Sequence, residues 1–191
     1  MSHLTRALQA LSGSAYQYER FTGAHTHTPH LADLRQKYQR KLFDSIDDVL
    51  ERCELRDGMT VSFHHAFREG DKVINYVMDK LAEKGLRGLT LASSSLMTCN
   101  APLIEHIKAG VVTKIYTSGM RGELAEAISH GLMAEPVEIH SHGGRVHLIE
   151  KGEISIDIAF LAVSCCDEYG NASGSGGASR CGSLGYAMVD A

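Results

Sequence analysis

Two adjacent histidines, an arginine and a glycine fall close together in the stretch Asp57-Gly-Met-Thr-Val-Ser-Phe-His-His-Ala-Phe-Arg-Glu-Gly-Asp71. The segment reads as a turn, a short apolar strand and a polar loop that leads into a helix. Loops of this kind lie at the carboxyl end of a sheet, where open α/β folds place their ligands. His64 and His65 supply donors for an anion, or for a thioester carbonyl oxygen as charge builds on it. Arg68 has the planar fork that grips a carboxylate through two parallel hydrogen bonds. Each has a plainer alternative: the histidines cap the next helix or face solvent, and Arg68 pairs at the surface with Glu69 or Asp71.

Two later loops repeat the pattern. Ser93-Ser94-Ser95 and Ser118-Gly-Met-Arg-Gly122 each follow an apolar strand. Hydroxyls and backbone N–H groups there suit a carboxylate or phosphate, although serine and glycine are also ordinary loop residues. Ser94, Ser118 and Gly119 join His64, His65 and Arg68 as candidate substrate-binding residues. His140-Ser-His-Gly-Gly-Arg145 reads either as a further cleft-facing loop or as a glycine hairpin between strands at Val137 to His140 and Val146 to Ile149. Asp167-Glu-Tyr-Gly-Asn171 reads as a turn.

Several chemistries lack their signatures. Eleven histidines are many, and His25, His27 and His30 are close together. No Cys-x-x-Cys or His-Glu-x-x-His spacing accompanies them, so no metal is expected. There is no phosphate-binding Walker loop and no strand-linked Gly-x-Gly-x-x-Gly, nor a discernible Ser, His and acid triad. No catalytic nucleophile can be singled out.

Strands alternating with helices must position these loops. Residues 1–43 are polar, lack sustained periodicity, and are expected to form an arm with a short helix near Leu31 to Tyr38. From residue 44 the pattern sharpens. Ser45 and Asp48 form a capping-box-like start for a helix with Ile46, Val49, Leu50 and Cys53 on one face. Strands are predicted at Met59 to Phe63, Leu89 to Ala92, Val111 to Tyr116 and Ile154 to Val163. Between them lie helices capped by Asp71, started by Asn100 and Pro102, and running from Glu123 to His130. This alternation predicts an α/β domain over 44–191 with a mainly parallel sheet and flanking helices. Gly174-Ser175-Gly176-Gly177 reads as a flexible stretch, and Leu184 to Ala191 as a strand. The chain stops inside it, so the domain is expected to be incomplete at its C-terminus.

Composition narrows the classes further. The 191 residues carry a formal charge of −4, without the basic excess of a nucleic-acid binder. No apolar run approaches the roughly 20 residues that cross a bilayer, and no signal-peptide core follows the first residues. A cytoplasmic protein is expected, with its five cysteines reduced.

Specific motifs carry a resemblance. The run from Asp57 to Asp71, Leu89-Thr-Leu-Ala-Ser-Ser-Ser-Leu96, Glu138-Ile-His-Ser-His-Gly-Gly-Arg-Val-His147, Cys166-Asp-Glu-Tyr-Gly-Asn171 and Cys181-Gly-Ser-Leu-Gly-Tyr-Ala-Met-Val-Asp190 resemble the N-terminal portion of the citrate lyase alpha subunit family. The likeness covers nearly the whole chain from about residue 20. It implies a CoA transferase-like fold and a citrate:acetyl-carrier-protein transferase (citrate CoA-transferase) activity. In that family the acetyl group of a carrier thioester is exchanged for citryl, with release of acetate. A beta subunit then cleaves the citryl thioester. A gamma subunit, the acyl carrier, presents a CoA-like prosthetic group, so no permanently bound cofactor is expected in this chain. The resemblance also implies a citrate carboxylate attacking the acetyl thioester, with a mixed anhydride as intermediate. Related CoA transferases use a glutamate as acyl carrier, but it belongs to a part of the pattern outside this chain, and Glu69 is not given that role.

Two other readings compete. A transferase or hydrolase acting on free CoA thioesters would be told apart by its products. A non-catalytic assembly domain would bind partners without turnover.

Overall fold

The computed structural model describes residues 41–64, 72–182, 187, 189 and 190. They fall within one unit, 39–191. The expected arm and its helix at Leu31 to Tyr38 lie almost wholly outside the described residues, as do the histidines at 25, 27 and 30.

Ser45 starts helix α1 (Ile46–Arg52), its hydroxyl accepting from the Asp48 N–H as the sequence predicts. Strand β1 (Thr60–His64) follows, then α2 (Val73–Glu83), which buries Ile74, Val77, Met78 and Leu81. The residue at the N-cap of α2 is Lys72, with no side-chain cap; Asp71, expected there, lies outside the described residues. Next come β2 (Leu89–Ser93), a 3-10 turn (Thr98–Asn100), α3 (Leu103–Lys108), β3 (Val112–Thr117) and α4 (Gly122–Ser129). The remaining elements are β4 (Glu138–Ile139), α5 (His142–Glu150), β5 (Ile158–Leu161), β6 (Cys165–Cys166) and β7 (Ala172–Ser173).

The first five strands form a sheet in the order β4-β3-β2-β1-β5, and every neighbouring pair is parallel. The α/β architecture with flanking helices is thus the one present. The two sheet faces differ because side chains alternate along a strand. Val61 lies in register with Leu91 and Ile158, and Leu91 with Ile115. This apolar row joins Phe63 and the buried residues of α1 to α4 in one core, with Phe63 stacked on Phe160 at 5.4 Å. On the other face the equivalent row reads Ala159, Ser62, Ala92, Tyr116. That row has no large aliphatic side chain, and α5 brings Arg145 against it.

Four expectations need correction. Val146 to Ile149 is helical, part of α5, because Ser141 caps the turn by accepting from the Gly144 N–H at 3.0 Å. A glycine pair before mixed apolar and polar residues imitates a hairpin, and a single buried residue, Arg145, gives the helix almost no apolar stripe to read. The expected strand Ile154 to Val163 shrinks to β5; Asp157, just before it, caps β1 by accepting from the Thr60 N–H at 2.7 Å. Gly174 to Gly177 is not a loose spacer. A Cβ on Gly174 would lie 1.8 Å from the Gly182 carbonyl oxygen, and one on Gly176 would lie 2.6 Å from Cys165 Sγ. These glycines permit close backbone approach. Finally, Asp190 N–H donates to the Ala187 carbonyl at 3.2 Å, a tight turn where a strand was expected. The other residues from Ser183 to Ala191 lie outside the described residues, except Val189.

Candidate functional site

The chain leaves β1, builds outward through β2, β3 and β4, and returns to place β5 on the other side of β1. The direction of winding therefore reverses between β1 and β5. In open parallel sheets a crevice opens at the carboxyl ends of such a pair, because the loops turn away to opposite sides. His64 is the last residue of β1 and lies in register with Leu161 of β5.

Three of the loops singled out by sequence meet beside it. Ser94 N–H donates to the Phe63 carbonyl at 3.1 Å, and Ser118 N–H to the Ser94 carbonyl at 2.9 Å. His140 N–H donates to the Thr117 carbonyl at 2.9 Å. The end of β1 and the loops after β2, β3 and β4 thus stand side by side, tied by a continuation of the sheet ladder. His64, Ser94, Ser118 and Gly119 are brought together. His65 and Arg68 lie outside the described residues.

The members differ in what they can offer. Ser94 is 4% exposed, so it supports the neighbouring loops more than it reaches outward. The Ser118 hydroxyl oxygen is buried without a hydrogen-bond partner among the described residues, although the residue as a whole is half-buried. A stranded hydroxyl costs about 1–3 kcal/mol, which a ligand oxygen reaching it would recover. Gly119 N–H is held by Thr117 Oγ1 at 3.3 Å, a long contact that a stronger acceptor would outcompete. Farther along the row, the Glu138 carboxylate lies within ion-pair range of Lys114 Nζ at 3.2 Å and of His140 Nε2 at 3.4 Å. Burial pushes the Glu138 carboxyl upward, but the Lys114 ammonium and His140 outweigh it, leaving the group below its usual value.

Beneath His64 is a cluster that the sequence reading missed. The Asp190 carboxylate accepts from Ser62 Oγ at 2.6 Å and from both terminal nitrogens of Arg145, one of them, Nη2, at 2.9 Å. Arg145 Nη2 also reaches Ser62 Oγ at 3.1 Å and the Ala92 carbonyl at 3.4 Å. Arg145 was expected in a cleft-facing loop or hairpin. It is instead 3% exposed and turned onto the sheet. The hint available was a lone arginine in an otherwise weakly charged helix; its partners lie 45 and 83 positions away.

The Asp167 to Asn171 segment forms the turn its composition predicts, joining β6 to the antiparallel β7. Asp167 accepts from Asn171 Nδ2 at 2.7 Å and from the Tyr169 and Asn171 N–H groups. The Asn171 hydrogen bonds, side chain first, lower its pKa. Among the described residues no group of three His, Cys, Asp or Glu side chains is placed to hold a metal ion, and no helix is long and apolar enough to cross a membrane.

The family model "Citrate lyase, alpha subunit" matches residues 39–191. A citrate lyase alpha chain from Klebsiella pneumoniae is 63% identical over 171 residues, covering 90% of this chain and 34% of the relative. That of Escherichia coli is 62% identical, covering 82% and 32%. The chain thus spans about a third of the length of the curated relatives it matches. A crystal structure described as the alpha subunit of citrate lyase in complex with citrate, from Streptococcus mutans, superimposes with a TM-score of 0.77 at 51% identity. The match covers 80% of this chain and 30% of that one.

Proposed function

The chain belongs to the citrate lyase alpha subunit family, and we propose that it supplies the citrate-binding part of a transferase that exchanges acetyl for citryl on a carrier thioester. The observation that carries the proposal is the row formed at the carboxyl ends of β1, β2 and β3, where His64 lies at the reversal of the sheet and Ser94, Ser118 and Gly119 follow on the neighbouring strands. The citrate bound to the 51% identical Streptococcus mutans chain supports the choice of ligand.

In the exchange, a citrate carboxylate displaces the thiolate from the acetyl thioester, and the thiolate then displaces acetate from the citryl carbonyl. Both steps place negative charge on a carbonyl oxygen, where preorganised donors act most strongly. His64 and His65 are the donors closest in sequence to the switch point. Arg68 grips one of the carboxylates that does not react. Ser118 Oγ and Gly119 N–H complete the cradle on the β3 side, and Ser94 holds the loops in register. The residues fit a thioester brought by another subunit, since the stranded Ser118 hydroxyl is a donor without a partner among the described residues. A CoA-like prosthetic group presented by the gamma subunit supplies the thiol. The beta subunit consumes the citryl product, and the assembly works in the cytoplasm. Nothing in this reading needs a metal.

The test mixes the folded chain with acetyl-CoA, as a carrier substitute, and isotopically labelled citrate. Mass spectrometry looks for citryl-CoA, and calorimetry measures citrate binding in parallel. Citryl-CoA with an equal amount of acetate is the expected result. Binding without exchange restricts this chain to the substrate-holding part of the reaction. Absence of citrate binding by folded protein overturns the proposal.

A further inference from the structure

We propose that Arg121 is a specificity-determining residue, binding the citrate carboxylate that neither reacts nor meets Arg68. The proposal rests on the reading that citrate binds at the carboxyl ends of β1 to β3. Arg121 ends the loop after β3, three residues beyond Ser118, and is exposed. Its guanidinium has no hydrogen bond, ion pair or ring contact among the described residues. Even Glu123, the nearest carboxylate along the chain, is not its partner.

The backbone beneath this side chain is fixed. Arg121 N–H donates to the Leu96 carbonyl at 3.1 Å, and Leu96 N–H donates to the Gly119 carbonyl at 2.9 Å. These bonds make a parallel bridge between Leu96 and Met120. Leu96 is fully buried, and Met120 packs against the core. Arg121 is extended, with φ −144° and ψ 164°, so its side chain leaves opposite to Met120, away from the core. Gly122 then turns the chain at φ +66°, so close to Thr98 that a Cβ would lie 3.0 Å from Thr98 Cγ2. A long cation thus stands on a held base, and a ligand that meets it need not order the loop.

The charge of the surrounding loops is one-sided. Residues 93–102, 117–122 and 139–145 contain no Asp or Glu, in a chain whose formal charge is −4. Their formal cations are Arg121 and Arg145, and Arg145 is neutralised by Asp190. Arg121 is left as the uncompensated charge of these stretches, and it draws anions toward them. Citrate brings three carboxylates. One enters the exchange and Arg68 is assigned a second, so the third needs a cation of its own. β3 stands two strand spacings from β1, about 10 Å, which the arms of a tricarboxylate and a long arginine side chain span together. The guanidinium fork fits that carboxylate through two parallel hydrogen bonds. A hydroxy-dicarboxylate would leave Arg121 unmatched, so the residue selects for the three-armed acid.

The experiment compares the unsubstituted protein with Arg121→Gln by calorimetry. The ligands are citrate, acetyl-CoA, 3-hydroxyglutarate and the two enantiomers of citramalate; each of the last three lacks one citrate carboxylate. Because the position is exposed, the substitution is expected to leave the unfolding midpoint within about 2 °C. It is expected to weaken citrate binding about tenfold, the value of one charge-assisted hydrogen bond. One analogue, the one without the carboxylate that meets Arg121, is expected to bind both proteins equally. Equal citrate affinity of the two proteins overturns the proposal, and so does a tenfold loss that persists for all three analogues. A loss confined to acetyl-CoA also overturns it, assigning Arg121 to a phosphate of the prosthetic arm. Failure of the underlying reading is separately visible, because the unsubstituted folded protein would then not bind citrate at all.

Discussion

Replacing Ser118 by alanine should move stability and citrate affinity in opposite directions. The backbone N–H of Ser118 donates to the Ser94 carbonyl at 2.9 Å, and alanine leaves that bond intact. Only the hydroxyl is lost, and its oxygen is buried without a partner among the described residues. Stranding such a group costs about 1–3 kcal/mol, part of which the small void left by the oxygen offsets. The net expectation is a gain of about 0.5–2 kcal/mol. For a chain of 191 residues, each kcal/mol shifts the unfolding midpoint by about 2–4 °C, so Tm should rise by roughly 1–8 °C. Circular dichroism at fixed pH reads this, with urea unfolding to check that the slope is unchanged. Calorimetry on the same preparation should show citrate binding weakened about five- to tenfold. A midpoint that falls by more than about 2 °C would mean that the hydroxyl is already satisfied, and the reasoning would fail. Unchanged affinity would remove Ser118 from the site.

Arg68→Ala should weaken citrate binding at least about tenfold through loss of a bidentate grip; equal affinity by calorimetry would dismiss that role. Gly174→Ala should destabilise by about 1–3 kcal/mol as the new methyl meets the Gly182 carbonyl. An unaltered midpoint in thermal unfolding would show that the two backbones do not approach so closely. Asp167, whose pKa is lowered below 3.8 by its Asn171 hydrogen bonds, should titrate below that value in a carboxyl NMR experiment. Because the folded value is depressed, its contribution is present above the unfolded pKa and is lost as pH falls through the folded one. Asn171→Ala should bring the titration back toward 3.8; no movement would assign the shift to another cause.

Local patterns made much of this legible. The Ser45 cap, the apolar face of α2 and the alternation of strands with helices each follow from neighbours a few positions apart. The end of β1 at His64 and the loops at Ser94 and Ser118 could be grouped because parallel strands put their carboxyl ends on one side. What failed depended on partners far along the chain. Arg145 in α5 gives no apolar stripe, because its buried face is a charge neutralised by Asp190, 45 positions later. The glycines from Gly174 answer to Gly182 and Cys165, not to their own flexibility. Register across the sheet, and hence the sharing of one face by Ser62 and Ala92, is likewise invisible to a reading by segment.

The strand order also sets a timetable. β1 pairs on one side with β2, close behind it, but its other edge waits for β5, whose neighbour Asp157 is 97 positions beyond Thr60. At about 5–20 residues per second, a growing chain would carry that unpaired edge for some 5–20 s. A bare edge strand invites pairing with other chains. Asp190 reaches Ser62 later still, across 128 positions. Distant contacts are slow to form because the intervening loop must close first, so the floor beneath His64 is among the last parts to assemble. A molecule with that floor in place has therefore already paired β1 with β5, so the contact between Asp190 and Ser62 reports closure of the described sheet.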